Sequence, residues 1–361
     1  MKTFDYTFDG QRCRVTIGER VLRRAAEVIS RGQGGAKVLV VSDANVAPLY
    51  ADSVAESLNQ AGLECRLAVV PAGEGSKSLE QLVFLYGELA AMRLGRDGFL
   101  VAVGGGVVSD LAGFAAATWL RGVDFVICPT TLEAAVDASL GGKTAINHAA
   151  GKNLIGAFHQ PVHVVIDPLC LRTLARRDLV AGLAESIKHA LIADETFVSW
   201  HETQRDAILA CHPPTLEELV ARNVAIKAGV VAQDARERTG VRAQLNFGHT
   251  LGHAIEAACG YELRHGECVA LGMVGAARIS RSLGLLGREE CERVEALVGS
   301  FGLPVHYAQL PSYGVLASYM AGDKKVAAAL ARWVLLSGIG DTVIRSDVGE
   351  PLIQEAIESL R

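Results

Sequence analysis

The pattern of apolar residues divides the chain into two differently organised parts, with the change near residue 165. In the first part, short uninterrupted runs rich in Val, Ile and Leu alternate with helical stretches. Strands of this kind belong to a parallel sheet, because helices cover both of its faces. The pattern predicts such strands in KVLVVSD (37–43), CRLAVVPAG (65–73), FLVAVGGG (99–106), FVICPTT (125–131) and HVVIDP (163–168). A hairpin from Tyr6 to Ile17, turning at Asp9-Gly10, is predicted ahead of them.

From Asp178 onward the pattern is mostly helical. The helical stretches are RDLVAGLAESIKHALIAD (177–194), TLEELVARNVAIKAGVVAQDARE (215–237), a segment with His249 and His253, and HGECVALGMVGAARISRSLG (265–284). One late strand-like run, ARWVLLSGIG (331–340), precedes a final helix. We therefore predict an α/β, Rossmann-like domain over residues 1–170, followed by a mostly α-helical domain over residues 171–361.

Composition narrows the class of protein. The chain has 361 residues, of which 50% are hydrophobic and 21% are charged, as expected for a globular protein of two domains. Its net charge of −5 argues against nucleic acid or an acidic membrane as the main partner. The eight scattered cysteines, without a CxxC pair, favour reduced thiols in the cytoplasm. The charged N-terminus does not fit a signal peptide, and no run approaches 18 apolar residues, so we expect no membrane span.

The segment RAQLNFGHTLGHAIEAACGYELRHGE (242–267) carries the strongest candidate chemistry. His249 and His253 are four residues apart and would project from one face of a helix, and His265 follows. Imidazole is the commonest ligand of zinc-like ions, and a catalytic site needs about three protein ligands and one open position. The spacing of four arises readily by chance and is weak alone. Arg242 and Asn246, also four apart, could hold a carboxylate or phosphate near the metal.

The first part of the chain carries features of a cofactor site. Gly104 to Gly106 follow a predicted strand, where backbone N–H groups can approach a pyrophosphate at a helix N-terminus. The run is not a GxGxxG fingerprint, and such a run can also be a simple tight turn. Polar residues follow other strands, where parallel sheets bind ligands: Asp43 and Asn45, Glu74 and Lys77, and Thr130-Thr131. Each of these alone is more often a cap or a turn residue.

Two further segments are ambiguous. In DASLGGKTAINHAAGKN (137–153) a Walker A register fails, because Asp137 stands where the first glycine is needed. The segment is predicted to be a glycine-rich loop that either cradles a phosphate or is merely solvated; its polar groups are Lys143, Asn147, Lys152 and Asn153. Glu185 and Lys188, three apart on a predicted helix, would ordinarily be a surface pair. Small and apolar neighbours suggest instead that Glu185 points inward and could complete the metal site.

Long segments of the chain resemble the 3-dehydroquinate synthases of the sugar-phosphate cyclase superfamily. They are GGGVVSDLAGF, RGVDFVICPTTLEAAVDASLGGKTAINHAAGKNLIGAFHQP, GLAESIKHALIAD, the RAQLNFGHTLGHAIE block and MAGDKKV. The resemblance covers nearly the whole chain and implies NAD in the N-terminal domain and a zinc or cobalt ion at the junction with a helical C-terminal domain. It also implies a redox-neutral reaction, in which a phosphorylated seven-carbon keto acid loses phosphate and closes into a carbocycle.

The resemblance implies a role for each matching residue. The metal ligands would be Glu185, His249 and His265, and His253 would instead serve the substrate phosphate. NAD contacts would fall on Asp43, Glu74, Lys77, Gly105, Gly106, Asp110, Thr130, Thr131, Lys143, Lys152 and Thr173, in addition to the pattern-derived Asn45. Substrate contacts would fall on Asp137, Lys143, Asn153, Lys188, Lys227, Arg242, Asn246, His253 and one of Lys324 and Lys325. Arg121 would reach the phosphate site of a neighbouring subunit, which implies a homodimer.

Other functions remain open at this point. Another sugar-phosphate cyclase, of the aminodehydroquinate, valiolone or deoxyinosose type, is the nearest alternative. Valiolone and deoxyinosose synthases act on substrates without a carboxylate, so the presence of Arg242 and Asn246 disfavours them. A metal-dependent polyol dehydrogenase would release NADH and would not need the lysines of the 137–153 segment. A non-catalytic binding protein should have lost at least one of these residues, and none is missing. Departures from the usual pattern at Ser109, Cys268 and Ala329 leave a specialised paralogue open.

Overall fold

The structure is a computed structural model that describes residues 1–29, 36–260, 262–320 and 332–361. The chain forms two compact units. The first contains Met1–Leu174 and Leu216–Arg236, and the second contains Ala175–Thr215 and Glu237–Arg361. A parallel-sheet α/β region is therefore followed by a largely helical one, which confirms the predicted fold class.

Within the described residues, the first unit is built on a seven-stranded sheet in the order β1-β2-β9-β6-β5-β3-β4. Its strands are β1 (Lys2–Phe8), β2 (Gln11–Ile17), β3 (Lys37–Asp43), β4 (Glu64–Val70), β5 (Phe99–Gly104), β6 (Asp124–Pro129) and β9 (His163–Ile166). The strands β1 and β2 form the predicted hairpin, and its turn places Asp9 and Gly10 at positive φ. All other neighbours pair in parallel, as the uninterrupted apolar runs predicted.

The central strands of this sheet are buried on both faces. The helices of the unit are α1 (Ala25–Ile29), α2 (Asp52–Gln60), α3 (Leu79–Ala91), α4 (Gly106–Thr118) and α7 (Pro213–Gln233), whose first turn belongs to the second unit. On one face, Val38 and Val40 join the core around Leu58 of α2. On the other, Leu39 packs in the core around Leu111 of α4. Alternate residues of one strand thus enter opposite cores, which explains why the strand carries no polar alternation.

The segment predicted as a glycine-rich loop is a hairpin instead. Strands β7 (Lys143–His148) and β8 (Gly151–Phe158) pair antiparallel with each other as a separate two-stranded sheet. The expectation of a loop was wrong because the glycines and polar residues mark the ends of this hairpin, while its middle is paired. Gly156 shows the constraint: a Cβ there would lie 2.2 Å from the carbonyl oxygen of Thr144. Only glycine fits at this crossing of the two strands.

The second unit is mostly helical. Its helices are α5 (Arg176–Ala193), α6 (Glu195–Leu209), α8 (His249–Ala258), α9 (His265–Ser282), α10 (Arg288–Ser300), α11 (Tyr313–Met320) and α12 (Glu350–Glu358). The late apolar run forms β10 (Trp333–Gly338), as predicted, and β11 (Asp341–Arg345) pairs with it. Most of α9 is buried, and the helices α5, α8, α10 and α12 pack against it. No helix among the described residues is long and apolar enough to cross a membrane.

Candidate functional site

Three helices of the second unit bring four candidate side chains to one place. Glu185 comes from α5, His249 and His253 from α8, and His265 from α9. The three histidines each offer a ring nitrogen, and these atoms lie within 4.8 Å of one another. The Oε1 atom of Glu185 lies 3.5 Å from Nε2 of His249 and 3.4 Å from Nε2 of His265. The structure therefore gathers the three histidines found by spacing and the glutamate suggested by its apolar surroundings.

These separations fit a metal ion. Ligand atoms about 2.1 Å from a tetrahedral ion are about 3.4 Å from one another, since a tetrahedron's edge is about 1.6 times its radius. The two distances from Glu185 Oε1 match that edge. Two imidazole nitrogens and one carboxylate oxygen are also the donor types that zinc and cobalt accept. The residues present thus fit a divalent metal.

Glycines allow the helices to approach closely enough to form this cluster. A Cβ on Gly266 would lie 1.9 Å from the carbonyl oxygen of Ala181, so the start of α9 touches the backbone of α5. A Cβ on Gly272 would lie 1.9 Å from the carbonyl oxygen of Gly248, just before α8. No side chain can be accommodated at either contact without moving a helix. The glycines therefore fix the spacing that places His265 near the residues of α5 and α8.

The electrostatic surroundings of the cluster favour the binding of a cation. Glu185 is 1% exposed and forms an ion pair with Lys188, one turn along α5. Burial lowers the pKa of His249, and the charge of Lys188 lowers it further. The pKa of His253 falls to about 4, chiefly because surrounding atoms desolvate the ring even though part of it is exposed, and then because of His249 and His265. These shifts favour the neutral form of His249 and His253, which is the form of imidazole that binds metals.

Arg242 and Asn246 are arranged differently from the expectation based on a spacing of four. They lie on a 3₁₀ helix, Val241–Asn246, which ends before Gly248 adopts a left-handed conformation and α8 begins. A 3₁₀ helix has three residues per turn, so residues four apart do not share a face. Accordingly, Arg242 is buried while Asn246 is exposed. The Nε atom of Arg242 lies 3.3 Å from Glu237 Oε1.

In the first unit, a glycine turn joins β5 to α4. A Cβ on Gly104 would lie 2.6 Å from the side chain of Val108, so glycine is needed for α4 to pack on its strand. Gly105 is the N-cap of this 13-residue helix and has no side chain to cap it. The hydroxyl of Thr130, at the end of the neighbouring strand, is buried without a hydrogen-bond partner among the described residues. An uncapped helix start beside an unsatisfied hydroxyl fits the phosphate and ribose groups of a dinucleotide.

Other polar residues at this edge already bond to each other. Lys77 is buried, and its Nζ donates to Asp110 Oδ2 at 2.6 Å and to the Asn153 side chain. Glu74 Oε1 accepts from the Asn147 side chain at 2.8 Å. The 3₁₀ turn after β4 and the β7–β8 hairpin are thus joined by polar contacts. Burial raises the pKa of Asp110, although the ammonium group of Lys77 opposes that shift.

Three further candidates of the first unit, Asp43, Thr131 and Thr173, also make hydrogen bonds. Asp43 Oδ1 accepts from the backbone N–H groups of Asn45 and Val46, at 2.9 and 3.1 Å, and so caps the turn after β3. The hydroxyl of Thr173 lies 2.7 Å from that of Tyr50. Sequence reasoning missed Tyr50, because a lone tyrosine in an amphipathic stretch gives no signal. Thr131 accepts from the backbone of a residue three positions on, at 3.3 Å, which is also a capping contact.

Asp137 and Lys227 form a partly buried ion pair in the first unit. Lys227, on α7, donates from Nζ to Asp137 Oδ1 at 2.6 Å, and its side chain is 7% exposed. Lys143 is exposed at the start of β7, and Lys152 is half-buried on β8. Arg121 is exposed and adopts positive φ, after the end of α4. Lys324 and Lys325 lie outside the described residues.

Comparison with known proteins finds 3-dehydroquinate synthases among the relatives of this chain. Residues 67–181 match the family model described as 3-dehydroquinate synthase N-terminal, and residues 182–326 match the model described as 3-dehydroquinate synthase C-terminal. A curated 3-dehydroquinate synthase from Symbiobacterium thermophilum is 47% identical over 326 residues, which are 90% of this chain and 91% of that protein.

Solved structures with the same fold are also found. A 2-deoxy-scyllo-inosose synthase, complexed with carbaglucose-6-phosphate, NAD+ and Co2+, is 27% identical, with a TM-score of 0.90 over 100% of both chains. A 2-epi-5-epi-valiolone synthase from Streptomyces hygroscopicus subsp. jinggangensis, with NAD+ and Zn2+ bound, is 30% identical. Its TM-score is 0.87 over 96% of both chains.

Proposed function

The chain belongs to the 3-dehydroquinate synthase family, and we propose that it converts 3-deoxy-D-arabino-heptulosonate 7-phosphate into 3-dehydroquinate and phosphate. The observation that carries the proposal is its 47% identity, over nine-tenths of both chains, to a curated enzyme of that name. The family models add support, because together they match most of the chain. The activity is that of a carbon–oxygen lyase that eliminates phosphate and closes a ring.

NAD and one divalent metal ion are the cofactors of this reaction. NAD would be held by the edge of the first unit, where the β5–α4 glycine turn and Thr130 fit a dinucleotide. The metal would be held by Glu185, His249 and His265. When bound, the pair supplies reversible hydride transfer and Lewis-acid polarisation of a substrate oxygen. No net oxidation results, because the hydride that leaves the substrate is returned to it.

The chain's own residues bind and orient the substrate. We assign the phosphate to Lys143, Asn153, Asn246, His253 and one of Lys324 and Lys325, and to Arg121 of a second subunit. We assign the carboxylate to Lys227 and Arg242, because guanidinium and ammonium groups form charge-assisted hydrogen bonds with it. Asp137 and Lys188 would orient hydroxyl groups. Such positioning is the main catalytic contribution expected of a protein whose cofactors carry the redox chemistry.

Phosphate release tests the proposal directly. Purified protein with NAD and zinc or cobalt should release one phosphate for each 3-dehydroquinate formed from the keto acid phosphate. Absorbance at the NADH wavelength should not grow with product, and steady accumulation of NADH would point to a polyol dehydrogenase.

Sedoheptulose 7-phosphate is the matched control substrate, because it has no carboxylate. The enzyme should discriminate strongly against it, since Arg242 and Lys227 would be left without their partner. Equal turnover of the two substrates would assign the chain to the valiolone-type cyclases.

We further propose a homodimer, which the distribution of exposed apolar residues supports. Leu79 and Val83 of α3 are 63% and 58% exposed, and Leu154 and Phe158 of β8 are 62% and 45% exposed. Both elements pack beside α4, and Leu120, also exposed, follows that helix. Exposed apolar surface on several neighbouring elements is typical of an interface. Arg121 follows directly, where it could serve a partner's phosphate site.

Light scattering of the purified protein should give the mass of a dimer at micromolar concentration. Val83→Asp should shift the protein towards monomer, whereas Val315→Asp, at an exposed apolar position of α11, should not. Arg121→Ala should keep its fold and NAD affinity and lose substrate affinity. A fully active wild-type monomer would contradict the proposed homodimer.

The scattered cysteines, all free thiols in this structure, support a cytoplasmic location.

A further inference from the structure

Glu256 contacts one of the histidines of the metal cluster and has no part in the ligand or substrate sets above. It lies on α8, three residues after His253, and its side chain is 12% exposed. Its Oε2 atom lies 3.0 Å from Nδ1 of His265, the first residue of α9. The opposite nitrogen of that ring, Nε2, lies 3.4 Å from Glu185 Oε1. One imidazole therefore stands between two carboxylates, one of them in the proposed ligand set.

The chemistry of imidazole gives this contact a consequence. A neutral ring carries one proton, and only the nitrogen without it can bind a metal. A carboxylate at Nδ1 accepts the N–H there, so the lone pair is left on Nε2, which faces Glu185. The same contact fixes the rotation of the ring and increases the basicity of Nε2.

His249 has a different acceptor in the equivalent position. Its Nδ1 lies 3.2 Å from the carbonyl oxygen of Phe247, a neutral backbone group. A charged hydrogen bond is stronger than a neutral one, and the side chain that provides it can be replaced without changing the backbone. The two proposed histidine ligands are thus oriented by acceptors of different strength.

We propose that Glu256 is a positioning residue for the metal site, which holds His265 in the tautomer and orientation that bind the ion. This inference rests on the metal site of the proposed function. It predicts that Glu256 controls how tightly and how long the ion is held, although Glu256 is not itself a ligand.

The experiment measures zinc affinity and zinc release in the absence of substrate, by competition with a chromophoric chelator. Glu256→Ala should weaken zinc binding by about 10- to 100-fold and accelerate release by a similar factor. Glu256→Gln, which keeps an acceptor oxygen without the charge, should fall between Glu256→Ala and the wild type. Glu262→Gln removes a nearby exposed carboxylate that makes no side-chain hydrogen bond among the described residues, and should match the wild type.

The visible spectrum of bound cobalt provides a second measurement, because it reports ligand geometry. The spectrum of Glu256→Ala should differ from that of the wild type, and NAD affinity should be unchanged, which checks that the protein is folded. If Glu256→Ala does not fold, Glu256→Gln decides the question by the same measurements.

The outcomes separate this proposal from the proposed function. Wild-type zinc affinity and a wild-type cobalt spectrum in both variants would overturn the role of Glu256 and leave the metal site intact. A wild-type protein that binds no stoichiometric zinc would overturn the metal site, and this proposal with it. If Glu262→Gln weakened zinc binding as much as Glu256→Gln, the loss of any nearby negative charge would explain the effect. That result would also overturn the proposed role of Glu256.

Discussion

In the first unit, several candidate cofactor residues follow the ends of separate strands, and several bond to one another or to the backbone. In the second unit, the candidate ligands come from three helices and converge within a few ångströms. The backbone forms the candidate cofactor site of the first unit, because a glycine turn and a helix start provide N–H groups that can bind a dinucleotide. Side chains define the second, because each ligand atom is the end of one residue. Loss of one residue should therefore be tolerated better in the first unit than in the second.

The largest effect is expected from His265→Ala, which removes one proposed ligand of the second unit. Stoichiometric metal should be lost, and activity should fall by about a thousandfold or more, since a bound ion contributes several kcal/mol. Metal analysis and the phosphate-release assay measure both. His306→Ala, at an exposed histidine of the same unit, is the control and should change neither. Chelation of the wild type should reproduce the loss, and zinc or cobalt should reverse it. Full metal content with full activity in His265→Ala would remove the residue from the site.

Arg242→Ala tests whether the second unit also binds the substrate. The loss of a charge-assisted pair costs about 2–5 kcal/mol, so kcat/KM should fall by about 30-fold to several thousandfold. Metal content should stay at the wild-type level, because Arg242 is not a proposed ligand. Arg242→Lys should recover little, since lysine lacks the planar fork of the guanidinium group. A silent Arg242→Ala variant would show that the carboxylate is bound elsewhere.

Gly266→Ala tests the close helix contact that brings the ligands together. The new methyl group would lie 1.9 Å from the carbonyl oxygen of Ala181, so α9 must move away from α5. We expect the free energy of unfolding to fall by about 1–3 kcal/mol, with weaker zinc binding. Denaturant titration measures the first effect and chelator competition the second. Gly314→Ala, on α11 with open space around its Cα, should be nearly neutral.

The smallest effect is expected from Gly105→Val in the first unit. A Cβ at Gly105 would lie 3.0 Å from the Thr131 side chain, which can yield slightly, so the fold should survive. The added methyl groups would crowd the start of α4, and NAD should bind about 5- to 30-fold more weakly, equivalent to about 1–2 kcal/mol. Equilibrium titration with NAD measures the change. Gly87→Ala, which has open space on α3, should bind NAD normally. If Gly105→Val lowered activity more than His265→Ala does, the first unit would be the one that tolerates the loss of a residue less well.

The sequence predicted the central strands well for a physical reason. Residues such as Leu39 and Val40 are buried on opposite faces, so their strands had to be uninterrupted apolar runs. The β7–β8 hairpin was missed because its exposed strand β8 carries glycine, lysine and asparagine beside its apolar residues. The hairpin is stabilised by the pairing of its strands and by packing on α4. These contacts join residues distant in sequence, so a local sequence pattern does not predict them. The predicted domain boundary stays a prediction.

The candidate ligands were predictable as a group, but their arrangement was not. Spacing identified His249 and His253, yet convergence with Glu185 depends on a backbone contact at Gly266 between helices distant in sequence. Glu256 lies in the same conspicuous segment and was overlooked, because its partner, His265, becomes its neighbour only when α8 and α9 pack. The roles of individual residues came from family resemblance, and they remain proposals.

The dispersal of the ligands along the chain has a consequence for the lifetime of the protein. Glu185 lies far from His249 and His265 in sequence, so in the unfolded chain an ion that joined them would have to close a long loop. An ion held by all three therefore binds the folded state selectively and acts as a reversible cross-link. Each tenfold rise in free metal above the dissociation constant adds about 1.4 kcal/mol to the free energy of unfolding. Metal supply would then govern how long the enzyme survives as well as how fast it works.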